Sequence, residues 1–179
     1  MNDRVLRGFL VQQFEEGMAL AQASDLFDLI PVGESGGEPP QNYMAIFHCK
    51  GLVSRGGGEI GECNHIEVAI TFGSDYLRCA DTYRVLTFLG PINFFHPNVS
   101  APAICIGALE PASKLQDIIY RVFDVITYKK VTMREDNALN KAACVWARRN
   151  QHRFPVDDRP LKRRTLSLRT TPVGEANNP

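Results

Sequence analysis

The sequence predicts an α+β domain in which helices stand at the ends of an antiparallel sheet. Three observations predict it. Between residues 43 and 89, short runs rich in β-branched and aromatic residues are separated by glycine-rich or polar turns. A wide apolar stripe at helical spacing then occupies residues 112–128. Further helical patterns lie near both ends of the chain. Strands grouped together and bracketed by helices, rather than alternating with them, point to α+β.

Residues 5–23 read as the first helix. Val5, Phe9, Phe14, Met18 and Leu20 fall roughly on one side, with Arg4, Arg7, Glu15 and Glu16 toward the other. Residues 26–30 (LFDLI) suit a short strand, and residues 31–41, dense in glycine and proline, suit a loop. Residues 43–53 (YMAIFHCKGLV) read as a strand, followed by a hairpin loop over 54–61 that contains Gly56-Gly57-Gly58. That loop lacks the Lys-Ser/Thr that completes a phosphate-binding loop, so it is read as a turn. Residues 65–72 alternate as a second strand, and 83–89 (YRVLTFL) form a third.

After Pro91 the pattern becomes irregular through residues 100–108, which contain Cys105. Leu115, Ile118, Ile119, Val122, Phe123 and Ile126 then mark one face of a helix. Asp136 and Asn137 offer N-caps for a last helix through Arg149, with Leu139, Ala142, Ala143 and Trp146 as its expected buried face. The tail carries Pro155, Pro160 and the basic run Lys162-Arg163-Arg164, and its last residues suit disorder. The expected organisation is one domain over 1–150 and a partly disordered extension over 151–179, with no internal repeat.

Composition narrows the function. At 44% hydrophobic, 179 residues bury a full core without disulfide staples. A formal net charge of zero argues against a general nucleic-acid binder. The five cysteines are odd in number and none has C-x-x-C spacing, so reduced thiols in a cytoplasmic compartment are expected. His48, His65 and His152 have no partners at ligand spacing, and neither a metal nor a cofactor is expected. The N-terminal stretch suits neither a signal peptide nor a membrane span, and no later stretch is long and apolar enough to span a bilayer. No membrane partner is expected.

Residues 88–109 read FLGPINFFHPNVSAPAICIGAL. This segment resembles the active-site segment of ubiquitin-conjugating (E2) enzymes: a strand, then His96-Pro97-Asn98, then a loop to a cysteine followed by a hydrophobic residue. Cys105 lies nine residues after His96. Upstream, Phe72 to Tyr76 and residues 83–95 resemble the family's strand, tyrosine-containing turn and strand. Downstream, Glu110-Pro111-Ala112 opens the following helix, and residues 135–140 with Trp146 resemble the acidic turn and C-terminal helix. Element order matches over residues 5–149. Several departures mark a divergent member, of the kind a bacterial conjugation pathway would hold. Tyr76 is followed by Leu77 rather than proline, no tryptophan follows Cys105 closely, the loop from Cys105 to Pro111 is short, and Gly107 stands where Asp or Ser is common.

The resemblance implies a UBC-like fold and an E2-type acyltransferase. Cys105 would accept a ubiquitin-like protein as a thioester from an E1-like activating enzyme and pass it to an amine on an acceptor protein. Thiols exchange readily because sulfur is intrinsically nucleophilic, so no Cys–His pairing is required. Asn98 would donate its amide to the developing oxyanion, or else hold the loop by bonding backbone groups. Asp136 would orient the amine or take its proton, with a helix N-cap as the plainer role. His96 and Pro97 are expected to be structural. Arg4 and Arg7 lie where the family meets its activating enzyme. Cys49 and Cys144 read as small core hydrophobes, whereas Cys63 and Cys79 lie in loop-like regions. Two other readings stay open: a non-catalytic UBC-like or RWD-like protein-binding module, and a thiol hydrolase with a Cys105–His96 dyad.

Overall fold

A computed structural model describes residues 4–33 and 36–163. Helix α1 spans Arg4–Gln22, followed by strands β1 (Phe27–Val32), β2 (Asn42–Phe47), β3 (Gly51–Gly56), β4 (Glu59–Cys63) and β5 (Ile66–Thr71). A one-turn helix α2 (Thr82–Val85) leads into β6 (Leu86–Gly90). A two-residue pair, β7 (Val99–Ser100) and β8 (Ala103–Ile104), precedes α3 (Leu115–Ile126) and α4 (Lys141–Arg149). The architecture is α+β, with an N-terminal helix, an antiparallel sheet and later helices. No helix among the described residues is long and apolar enough to cross a membrane.

The main sheet has the order β1-β2-β5-β6 and is antiparallel throughout. Its register aligns Leu29, Ala45, Val68 and Phe88 in one cross-strand row, and Tyr43, Ile70 and Leu86 in another. All seven are buried. Alternation of period two puts them on a single face. Helix α3 covers that core with Leu115, Ile118, Ile119, Val122, Phe123, Val125 and Ile126, the stripe read from the sequence plus Val125. Phe123 stacks on Phe47 with ring centroids 6.4 Å apart.

Helix α1 packs on α3 and β1 with a face turned from the one expected. Its buried residues are Leu6, Leu10, Gln13, Gly17 and Leu20, while Val5 is 71% exposed. Gly17 sets the orientation: a Cβ there would lie 2.7 Å from Leu115 Cδ2 and 2.9 Å from Leu29 Cδ2. The absent side chain lets the helix approach that closely.

Three further expectations are corrected. Residues 43–53 are not one strand. The chain leaves the sheet after Phe47, and β3 pairs with β4 as a separate hairpin. Gly51 makes the departure possible, because a Cβ there would sit 2.5 Å from Phe94 Cε2. Residues 82–85 are helical rather than extended. The Asp81 side chain accepts a hydrogen bond from Tyr83 N (2.9 Å) and caps that turn. Finally, α4 starts later than expected: Asn140, not Asp136 or Asn137, accepts from Ala143 N at 3.0 Å. The buried residues of α4 are Ala143, Cys144 and Ala147, with Ala142 exposed and Trp146 half-buried against Phe95.

The segment after α4 folds back onto the body. Phe154 meets the Tyr128 ring (4.7 Å between centroids), Leu161 enters the core, and Arg163 N donates to Ala23 O (2.8 Å). The tail expected to be disordered, and Arg164 of the basic run, lie outside the described residues.

Candidate active site

Cys105 follows β8 in a segment whose side chains alternate. Ile104 and Ile106 are buried at 0% and 1% exposure, so Cys105 between them points outward and is partly exposed. A thiol presented this way can meet a bulky acyl group while its neighbours anchor the backbone.

That backbone is held from several elements. Cys105 N donates to Asn98 O (2.8 Å), and Asn98 Nδ2 donates to Cys105 O (3.1 Å). Thr82 Oγ1 of α2 donates to Gly107 O (2.9 Å). Arg121 of α3 donates to Ala108 O (2.7 Å). Gly107 has φ +91°, a conformation that glycine adopts without penalty. Side chains thus satisfy three carbonyls of an irregular segment that has no ladder of its own.

His96-Pro97-Asn98 is the hub of these contacts. The His96 imidazole is fully buried, and its Nδ1 accepts from Asn98 N (2.9 Å). An accepting Nδ1 leaves the proton on Nε2, which has no hydrogen-bond partner among the described residues. The ring instead sits edge-to-face on Tyr128, 4.2 Å between centroids. Burial pushes the imidazole pKa down from 6.5 to about 3. His96 is therefore neutral, enclosed and unsuited to act as a base for Cys105. Pro97 is buried and its carbonyl accepts from Asn140 N (3.1 Å), which ties the start of α4 to the hub. The Tyr128 hydroxyl donates to Phe95 O beside it.

Asn98 is 7% exposed, and both ends of its amide are engaged: Nδ2 with Cys105 O, Oδ1 with Thr132 N (2.8 Å). The loop-holding role foreseen for it is the one its contacts describe. Asp136 is exposed, and its carboxylate pairs with Arg134 two residues away (2.7 Å). It does not make the N-cap of α4.

One neighbour of Cys105 went unnoticed in the sequence. Tyr83, on α2, stands close enough to Cys105 for the thiol to influence its phenol. Partial burial of the ring, and then the adjacent thiol, push its phenol pKa up. Reading 83–89 as a strand hid it. The available signal was Asp81-Thr82, a capping residue ahead of a possible helical turn. Lys130 also approaches, with Nζ 3.8 Å from where a Cβ on Gly107 would lie.

Neither a protein-family model nor a curated protein matches this chain.

The other thiols fall into two groups. Cys49 and Cys144 are buried, Cys63 is partly exposed and Cys79 is exposed. Burial pushes the Cys49 thiol up to about 12, aided by the charges of Asp157 and Cys63. Among the described residues, no group of three or more His, Cys, Asp or Glu side chains could hold a metal ion. The arrangement around Cys105 therefore offers one accessible sulfur on a braced backbone, with a phenol beside it. That equipment suits acyl transfer through sulfur.

Proposed function

We propose that this chain is a divergent E2-like conjugating enzyme with a UBC-like fold, carrying a ubiquitin-like protein as a thioester on Cys105. The observation that carries the reading is the reciprocal pairing of Asn98 with Cys105. It makes His96-Pro97-Asn98 the brace of the one cysteine that its segment turns outward. The order of elements supports the same reading: helix, four-stranded antiparallel sheet, cysteine segment, two helices. The β3–β4 hairpin between the second and third sheet strands is an elaboration on that plan.

The chemistry is two acyl exchanges. The Cys105 thiolate attacks the thioester carbonyl on an activating enzyme, a carbon–sulfur bond forms, and the enzyme's own thiolate leaves. An acceptor amine then attacks the new thioester. A carbon–nitrogen bond forms, the Cys105 sulfur departs as thiolate, and the amine's proton passes to solvent. Two acyl transfers through sulfur need no oxidant and no metal. A Cys105–His96 hydrolase receives no support, because the buried imidazole has its accepting nitrogen bound to Asn98 N.

The test is adduct formation. The protein is incubated with an E1-like enzyme, its ubiquitin-like protein and ATP, and the products are resolved with and without reductant. A reductant-labile adduct is expected, becoming reductant-stable in Cys105→Ser and absent in Cys105→Ala. If a partner pair shown to be active and to bind leaves no adduct, the chain is a non-catalytic protein-binding module.

A further inference from the structure

We propose that the α4 end of the molecule is a docking surface for an acidic segment of another protein, one that carries several Asp or Glu side chains close together.

The formal charge of zero conceals a division. Residues 1–128 hold eight Lys or Arg and fifteen Asp or Glu, a formal charge of −7. Residues 129–163 hold ten and four, a formal charge of +6. The fold keeps the basic stretch together. Tyr128 meets Phe154 with ring centroids 4.7 Å apart, Cys144 Sγ donates to Thr132 O at 3.4 Å, and Arg148 pairs with Glu135 at 2.5 Å. The loop after α3, helix α4 and the returning chain thus form one basic pole on an acidic body.

Four arginines of the pole are paired: Arg134 with Asp136, Arg148 with Glu135, Arg159 with Asp157 and Arg163 with Asp25. Lys129, Lys130, Lys141, Arg149, Arg153 and Lys162 are exposed and make no salt bridge among the described residues. From residue 141 to residue 153 there is no Asp or Glu at all. Ala143, Cys144 and Ala147 bury one side of α4, so Lys141, Arg148 and Arg149, spaced i, i+7 and i+8, share its solvent side. The helix dipole accounts for the two arginines in the last turn, but it disfavours a cation at Lys141, the first residue. The helix itself gains nothing from that charge. Arg153 lies over the Trp146 ring, 5.3 Å from its centroid, which orders the guanidinium before a partner arrives.

Charge complementarity makes the occupant anionic, and the surroundings select its class. A nucleic acid running past the pole would lie against the acidic body. The Trp146 ring, on which a base could stack, is already taken up by Arg153 and by Phe95 edge-on. Stable attachment to a membrane takes an apolar contact as well as charge. Val156 is the only large hydrophobic residue exposed among the described residues 129–163. A short acidic stretch of protein fits within the pole, and its carboxylates match the planar fork of arginine.

The test is a titration of the full chain into a fluorescein-labelled oligoglutamate peptide, followed by anisotropy. Saturable binding is expected at low ionic strength, weakening at least about tenfold at about 0.15 M salt because exposed charges are screened. Arg149→Glu should weaken binding several-fold, and Lys141→Glu with Arg149→Glu at least about tenfold. Lys114→Glu makes the same charge change at the start of α3, about 18 Å along that helix from its other end, and should bind as wild type. Circular dichroism checks that each variant is folded. Should the reversals unfold α4, Lys141→Gln with Arg149→Gln reads the same surface by removing charge alone. Absence of peptide binding, or binding that survives these substitutions, overturns the proposal. So does equal weakening by Lys114→Glu, which would make the effect one of net charge. Tighter binding of an oligouridylate RNA of equal charge, or of phosphatidylserine vesicles, also overturns it by assigning the pole to another class of partner. Each readout is independent of Cys105, so failure here leaves the carrier reading untouched.

Discussion

Asn98 and Cys105 hold each other at both ends of the β7–β8 turn. Cys105 N donates to the Asn98 main-chain carbonyl (2.8 Å), and the Asn98 side-chain amide donates back to the Cys105 carbonyl (3.1 Å). With Oδ1 also accepting from Thr132 N, one side chain joins the cysteine segment to the chain that follows α3. Asn98→Ala leaves the Cys105 carbonyl and the Thr132 N–H without those partners. A buried group left unsatisfied costs about 1–3 kcal/mol. A lower urea midpoint at unchanged slope is expected. A wild-type midpoint would show that water or rearrangement replaces both bonds.

His96 makes stability depend on pH in a definite direction. Its folded-state pKa is lowered from 6.5 to about 3 by burial. The unfolded chain therefore takes up a proton that the folded chain refuses. The stabilisation is complete above pH 6.5 and is lost as pH falls toward 3, by up to about 1.4 kcal/mol per pH unit. His96→Asn retains an oxygen that can accept from Asn98 N but does not titrate. Unfolding free energies measured from pH 7 to pH 4.5 should fall steeply for wild type and be flatter for the variant. Parallel curves would mean that His96 is not the group responsible.

Gly51 lies under the Phe94 ring, where an added Cβ would sit 2.5 Å from Cε2 and 3.0 Å from Ile66 Cδ1. Both neighbours are core residues. Gly51→Ala should therefore destabilise, by about 1–3 kcal/mol as overpacking does. The result checks against the unfolding midpoint. A gain in stability would mean that the β2–β3 connection has room to shift.

Gln13 caps a helix from far away in sequence. It is 1% exposed, and its Oε1 accepts from Leu115 N at 2.8 Å, where Lys114 provides no side-chain cap for α3. Gln13→Leu preserves the apolar surroundings but orphans that N–H. A loss of about 1–3 kcal/mol is expected. At about 2–4 °C per kcal/mol for a chain of this size, the shift is readable in a thermal melt. An unchanged melting temperature would count against the cap.

Thiol accessibility orders the cysteines. Cys79 should alkylate first under native conditions and Cys105 next, with Cys63 slower because burial pushes its thiol pKa up, and Cys49 and Cys144 only on denaturation. Peptide mapping after brief iodoacetamide treatment reads the order. Early labelling of Cys144 would contradict the packing of α4.

Local pattern and distant contact divided this protein between them. The four strands of the main sheet, the three longer helices, the buried stripe of α3 and the spacing from His96 to Cys105 were legible, because periodicities of 2.0 and 3.6 residues are written in neighbouring side chains. The outward turn of Cys105 was latent in the Ile104-Cys105-Ile106 alternation. The partners of the polar groups were not legible. Gln13 caps a helix 102 residues away, a pairing that nothing in its own helix announces. Asn140 took the cap expected of Asp136, whose carboxylate pairs with Arg134 while Pro97 O holds Asn140 N. Thr82 fastens α2 to the cysteine segment through a carbonyl 25 residues on. Hydrophobic burial is non-directional and can be read as a pattern, whereas a hydrogen bond needs one donor and one acceptor in register, and only tertiary packing brings those two together.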